Sequence, residues 1–205
     1  GNMSTIPLPK CTVESLLVMA KQRLRGRFDE AVRISDTLGR ETGIVPGTEE
    51  RVRATSHDHP LTSLHRGITY LLGDRLSEAT MLLCCAQTRG ADSFVERDAA
   101  GKLALVEAVR GHMKDAQHWI REELRHRPLT GEGETIVRTA GRVAAALVAM
   151  DRLDLSAAAS ILDDLGMPRA DALLRRIDRR DELRAGRELV DLLQYPADAL
   201  AQSDD

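Results

Sequence analysis

Aromatic side chains are nearly absent from this chain. It has two Phe, two Tyr and one Trp, 2% of 205 residues. Sandwiches and barrels favour β-branched and aromatic strands, so this shortage argues against them. A core of Leu, Ala, Val, Ile and Met suits helix packing instead. Cysteine is equally scarce: Cys11 and the adjacent Cys84 and Cys85. An odd number with two neighbours is no disulfide framework, and it implies a reducing, cytoplasmic setting. No run of 18 apolar residues or signal peptide is visible, so no membrane span is expected. Neither sign of charge dominates, with 29 basic against 32 acidic residues. That balance argues against a dedicated nucleic-acid surface. No G-x-x-x-x-G-K-[ST] occurs, which removes the usual phosphate cradle for nucleotide hydrolysis. The opening Gly1-Asn2-Met3 reads as a tag remnant before a segment cut from a longer protein.

What the chain has is a recurring turn. Gly26-Arg27-Phe28-Asp29-Glu30-Ala31 is its sharpest copy. Asp74-Arg75-Leu76-Ser77-Glu78-Ala79, Gly111-His112-Met113-Lys114-Asp115-Ala116 and Asp151-Arg152-Leu153-Asp154-Leu155-Ser156 follow its logic. Gly or Asp comes first, a large apolar residue two positions on, and a small residue three after that. Gly26 and Gly111 permit backbone angles that a side chain opposes. Asp74 and Asp151 are expected instead to cap the next helix. The small residue lets the second helix of each pair approach the first. Counted from Ala31, Ala79, Ala116 and Ser156, the intervals are 48, 37 and 40 residues. Repetition on this scale marks stacked helical units.

Apolar spacing predicts helices over Thr12–Arg25 and Phe28–Glu41, then a long loop from Thr42 to Pro60. Further pairs are predicted at Leu61–Gly73 with Leu76–Arg89, Ser93–Arg110 with Lys114–Arg127, and Glu134–Met150 with Leu153–Leu165. A short Arg-rich helix from Pro168 and another over Asp181–Tyr195 complete a total of nine or ten. The predicted organisation is a disordered or tag-derived start at 1–11, one helical-repeat domain over 12–195, and a frayed tail at 196–205.

Gly67-x-x-Tyr70, followed nine residues later by Ala79, resembles the tetratricopeptide signature, and Gly26-x-Phe28-Asp29-Glu30-Ala31 resembles its turn. The resemblance covers Thr12–Leu165. It implies an all-α, right-handed α-solenoid of antiparallel helix hairpins. The motifs are degenerate, with Ala104 and Ala144 in the place of Gly67 and Glu107 and Leu147 in that of Tyr70. This divergent style, above all Leu64-His65-Arg66-Gly67-Ile68-Thr69-Tyr70-Leu71-Leu72-Gly73-Asp74, resembles the sensor region of bacterial LuxR-type (MalT-like) transcriptional regulators. In that family the region lies between an ATPase module and a DNA-binding helix-turn-helix, and neither is recognisable here. The resemblance implies a non-catalytic sensor or interaction module without cofactor. It would bind a protein partner or small effector in a concave groove, with no direct nucleic-acid contact. The alternative is a free-standing adaptor scaffolding a protein complex.

The first helices of such pairs line the groove. Twelve residues before Leu76, Met113 and Leu153 stand Leu64, Gly101 and Gly141; eleven before, His65, Lys102 and Arg142; eight before, Ile68, Leu105 and Ala145. Stacked in register, they form a basic column beside an apolar one, suited to a carboxylate or phosphate. A helix-interior glycine costs about 1 kcal/mol against Ala, so Gly101 and Gly141 require close packing or an opened groove. The Lys–Asn clamp of chaperone-binding tetratricopeptide domains is missing: lysines occur only at 10, 21, 102 and 114, and Asn2 is the only Asn.

Other motifs favour plain readings. His118, Glu122 and His126 share a helix face, but a charged surface explains them and no metal is expected. Cys84 and Cys85 read as inert core. His57-Asp58-His59-Pro60 reads as a polar linker. Arg175-Arg176-Ile177-Asp178-Arg179-Arg180 is laced with acids and free of aromatics, as a solvated helix is. Trp119 alone offers no stacking platform. No catalytic constellation is present.

Overall fold

The computed structural model describes residues 10–42, 59–90, 94–125 and 132–164. Eight α-helices and no strands occur among them. They are α1 (Lys10–Leu24), α2 (Phe28–Thr42), α3 (Pro60–Leu72), α4 (Leu76–Arg89), α5 (Phe94–Val109), α6 (Met113–Leu124), α7 (Glu132–Asp151) and α8 (Leu155–Asp164). None is long and apolar enough to cross a membrane. The chain divides into two compact units at Ala99–Ala100, inside α5. In the first, α1 packs on α2, α3 on α4, and α3 on both α1 and α2. In the second, α7 packs on α6 and α8.

The hairpin turns share one backbone design. Gly26, Asp74, Gly111 and Leu153 each take a positive φ, of 72°, 65°, 83° and 61°. Each donates its N–H to the carbonyl three residues back: Arg23, Leu71, Ala108 and Met150. The next residue, Arg27, Arg75, His112 or Asp154, donates to the carbonyl five back. This paired closure satisfies carbonyls that a helix end leaves open, and it requires a left-handed residue at its bend. Four positions past that second residue stand Ala31, Ala79, Ala116 and Ala158, all fully buried. A larger side chain there would hold the second helix away from the first.

The fourth turn differs from the expected alignment. Asp151 is still helical and Leu153 holds the left-handed position, two residues later. Ala158, not Ser156, is the buried small residue, and Ser156 is exposed. Asp154 caps α8, its Oδ1 accepting the Ala157 N–H at 3.1 Å. Asp74 is the bend residue of its turn, the counterpart of Leu153, and Arg75 holds the N-cap position of α4, while Asp151 lies inside α7. Asp tolerates left-handed backbone better than most residues, because its short side chain bonds locally.

Helix ends otherwise fall close to expectation. The α1 helix starts at Lys10, two residues before the expected Thr12 cap. His59 caps α3: its Nδ1 accepts the Leu61 N–H at 3.1 Å, and Pro60 occupies the first turn, where its missing N–H costs nothing. His59 is thus a structural cap within the stretch read as a linker. Gly67 lies against α4, where an added Cβ would stand 2.7 Å from Leu83 Cγ. Cys84 and Cys85 are half-buried, on the rim of the Leu82, Leu83 and Ala86 core face instead of inside it. The long loop at 43–58, the Arg175–Arg180 segment, the 181–195 helix and both predicted ends, apart from Lys10 and Cys11, lie outside the described residues.

Candidate functional site

Among the described residues, twelve polar or charged side chains are buried. Ten belong to the first helices of hairpins: one on α1, five on α3 and four on α5. Only Ser35 and Glu123 belong to second helices. A buried charge is costly unless it is hydrogen-bonded or paired, so this one-sided placement needs an account.

In the first unit the buried polar groups interlock. Arg23 projects from α1 to α3, where its Nη1 donates to the His65 carbonyl at 3.0 Å and to Thr69 Oγ1 at 2.6 Å. Its Nη2 lies 3.2 Å from His65 Nδ1. Arg23 is fully buried, and its pKa is pushed down to about 9 by desolvation. No carboxylate among the described residues bonds it. Arg66, one residue past His65, donates Nε to the Ser35 carbonyl and hydroxyl of α2, both at 3.2 Å.

Beside this cluster runs a more exposed clamp. The Tyr70 hydroxyl donates to Asp36 of α2. Arg75, at the start of α4, donates Nη1 to Asp36 Oδ2 at 2.9 Å and stands 4.8 Å from the Tyr70 ring centre. Burial raises the Tyr70 phenol pKa, and Asp36 raises it further because the phenol must donate to that carboxylate. Three helices are tied together by this one tyrosine.

The residues expected to line a groove are mostly enclosed. Leu64, His65, Ile68, Gly101, Lys102, Leu105 and Gly141 are buried, while Arg142 and Ala145 are half-buried. His65 belongs to the first unit, and Lys102 and Arg142 to the second. The shifted fourth turn also changes the columns. With Leu155 as the first residue of α8, the positions twelve, eleven and eight before it are Val143, Ala144 and Leu147, not Gly141, Arg142 and Ala145. By this count His65 and Lys102 keep matching sequence positions eleven residues before their second helices, and Arg142 does not. Likewise Ala146 and Ala149 replace Ala144 and Leu147 as counterparts of Gly67 and Tyr70. Gly141 lies beside the buried Glu123, but an added Cβ would stand 3.5 Å from its Oε2, an ordinary contact that does not require glycine. Arg23 joins His65 from another helix, a partnership no sequence spacing announces.

The other candidates resolve locally. His118 is exposed and packs edge-on to Trp119, while Glu122 pairs with Arg125 at 2.8 Å. His126 lies outside the described residues. A different triad, Glu107, His112 and Asp115, places its ligand atoms within 4.8 Å of one another. Glu107 Oε2 lies 2.7 Å from His112 Nδ1, and Glu107 Oε1 accepts from Arg110 at 3.2 Å. The spacing is within reach of a divalent cation, but Arg110 already neutralises the glutamate. The start of α6 also presents the positive end of its dipole there. Arg110 and His112 both meet Glu107, which ties the end of α5 to the turn. The signal for it is the five-residue step from Glu107 to His112, which the shared turn geometry closes.

Comparison with protein-family models, curated proteins and solved structures returned no match.

Proposed function

We propose that this chain is a non-catalytic sensor or interaction module of the tetratricopeptide-like class, serving a bacterial LuxR-type transcriptional regulator in the cytoplasm. Its helix pairs would stack as a right-handed α-solenoid, and the faces of the first helices would take a partner or small anionic effector. The observation carrying this reading is the concentration of buried polar groups on α1, α3 and α5. Second helices need only apolar contact to hold a hairpin together. First helices furnished with Arg23, His65, Arg66 and Lys102 have chemistry beyond that need. Four hairpins with one turn design support the repeat reading, since no hairpin buries its apolar face alone. A ligand that prefers one packing of neighbouring helices would shift the array toward it and pass that change to flanking modules.

The test is genetic. In the complete reading frame, deletion of residues 12–164 is expected to abolish the transcriptional response to effector while sequence-specific DNA binding persists. A reading frame with no DNA-binding module, or an unchanged response after deletion, would overturn the regulator reading. The first outcome would leave the adaptor alternative.

A further inference from the structure

The geometry points to an oxyanion site where α1 meets α3, with the side edge of the Arg23 guanidinium receiving a carboxylate or phosphate group. It deepens the effector-binding reading by naming the chemistry of the ligand.

A guanidinium has five N–H donors in a rigid fork. Nη1 uses both of its hydrogens, on the His65 carbonyl and Thr69 Oγ1. Nη2 directs one hydrogen at His65 Nδ1. The end of the fork is therefore occupied by His65. Nε has no hydrogen-bond partner, and a second Nη2 hydrogen lies on the same side of the fork. Those two parallel donors form the side-on edge that grips an oxyanion bidentately.

Two further observations point the same way. Thr62 is 1% exposed, and its hydroxyl also has no hydrogen-bond partner. Thr62, His65 and Thr69 recur at three- and four-residue steps, so they share one stripe of α3. The stripe thus carries the two residues that hold Arg23 and a third polar group with unused capacity. A buried cation whose acceptors are all neutral is an expensive arrangement. An oxyanion supplies the missing charge and the missing acceptors together. Since Arg23 is fully buried, the anion reaches it as α1 and α3 part locally, and binding is expected in slow exchange.

The experiment follows the Arg23 Nε–H resonance in the full chain labelled with 15N-arginine. Inorganic phosphate and succinate are titrated separately, with chloride at matched ionic strength as the control. The expected result is a new Arg23 resonance growing with phosphate or succinate and absent with chloride. The arm with the higher affinity identifies the group. Wild-type Tm rises with that anion by mass action. Arg23→Lys keeps a charge but loses the fork, so affinity is expected to fall at least about tenfold, as loss of a charge-assisted hydrogen bond implies. An unmoved resonance with both anions overturns the site, as does an equal Tm gain in Arg23→Lys. Should Arg23→Lys fail to fold, the wild-type resonance alone decides. An inert resonance beside an intact transcriptional response would sink this site and leave the regulator reading. A moving resonance with no response would do the reverse.

Discussion

Gly67 and Gly141 make opposite predictions for the same substitution. In an ordinary helix interior, Gly→Ala gains about 1 kcal/mol. At Gly67 the new methyl would stand 2.7 Å from Leu83 Cγ, 2.9 Å from Cδ2 and 3.3 Å from the Leu83 backbone nitrogen. Carbon atoms settle about 3.5–4.0 Å apart, so Leu83 or α4 must retreat by roughly 1 Å. Leu83 is fully buried and has no solvent to turn into. Overpacking of this kind costs about 1–3 kcal/mol. Set against the propensity gain, Gly67→Ala is expected to destabilise by about 1 kcal/mol. At Gly141 the methyl would stand 3.5 Å from Glu123 Oε2 and 3.6 Å from its Cδ, which is ordinary contact. Gly141→Ala is therefore expected to stabilise by about 0.5–1 kcal/mol. Urea unfolding of both variants beside wild type measures the difference. A double-mutant cycle of Gly67→Ala with Leu83→Ala should show coupling, because the second change empties the volume the first invades. Equal stabilisation by the two alanines would refute the close approach of α3 to α4.

Gly111→Ala isolates the conformational term: its φ is 83° and an added Cβ meets nothing, so a loss of about 1 kcal/mol in urea unfolding is expected. Tyr70→Phe removes the hydroxyl that donates to Asp36, and a loss of about 1–2 kcal/mol is expected by the same assay. An ultraviolet pH titration should find one phenol ionising above the ordinary tyrosine range. Because the folded pKa of Tyr70 is the higher one, its contribution is complete below the unfolded pKa and is lost as pH rises through the folded value. Arg23 acts in the opposite sense. Its folded pKa of about 9 lies below the ordinary guanidinium value, so above about pH 9 the unfolded chain binds more protons and stability gains with pH. Native-state titration of the Arg23→Met variant, which should lack that gain, checks it.

The sequence made the turns legible where glycine or a small side chain was the steric requirement. Gly26 and Gly111 do take left-handed backbone, and Ala31, Ala79 and Ala116 are fully buried. The fourth turn was illegible because Leu is a poor left-handed residue, so nothing marked Leu153 as the bend. The Asp-x-Leu pattern at Asp151 imitated the earlier copies two residues too soon. The buried arginines were hidden for another reason. Arginine is mostly a surface residue, and here α3 lying against α1 and α2 encloses both Arg23 and Arg66. The same placement brings His65 to Arg23 across 42 residues of chain. Spacing within one helix holds no trace of that meeting.

That long reach bears on how such a protein can be cut, shuffled or lengthened. Arg23 finds its acceptors 42 and 46 residues further on, and Arg66 finds Ser35 31 residues back. The opening pair of helices is therefore no interchangeable cassette. Excised at residue 42, it would carry a stranded guanidinium; duplicated, it would present the new copy with the wrong receptor. Growth or recombination in this lineage is expected to move α1 through α4 as one inheritance.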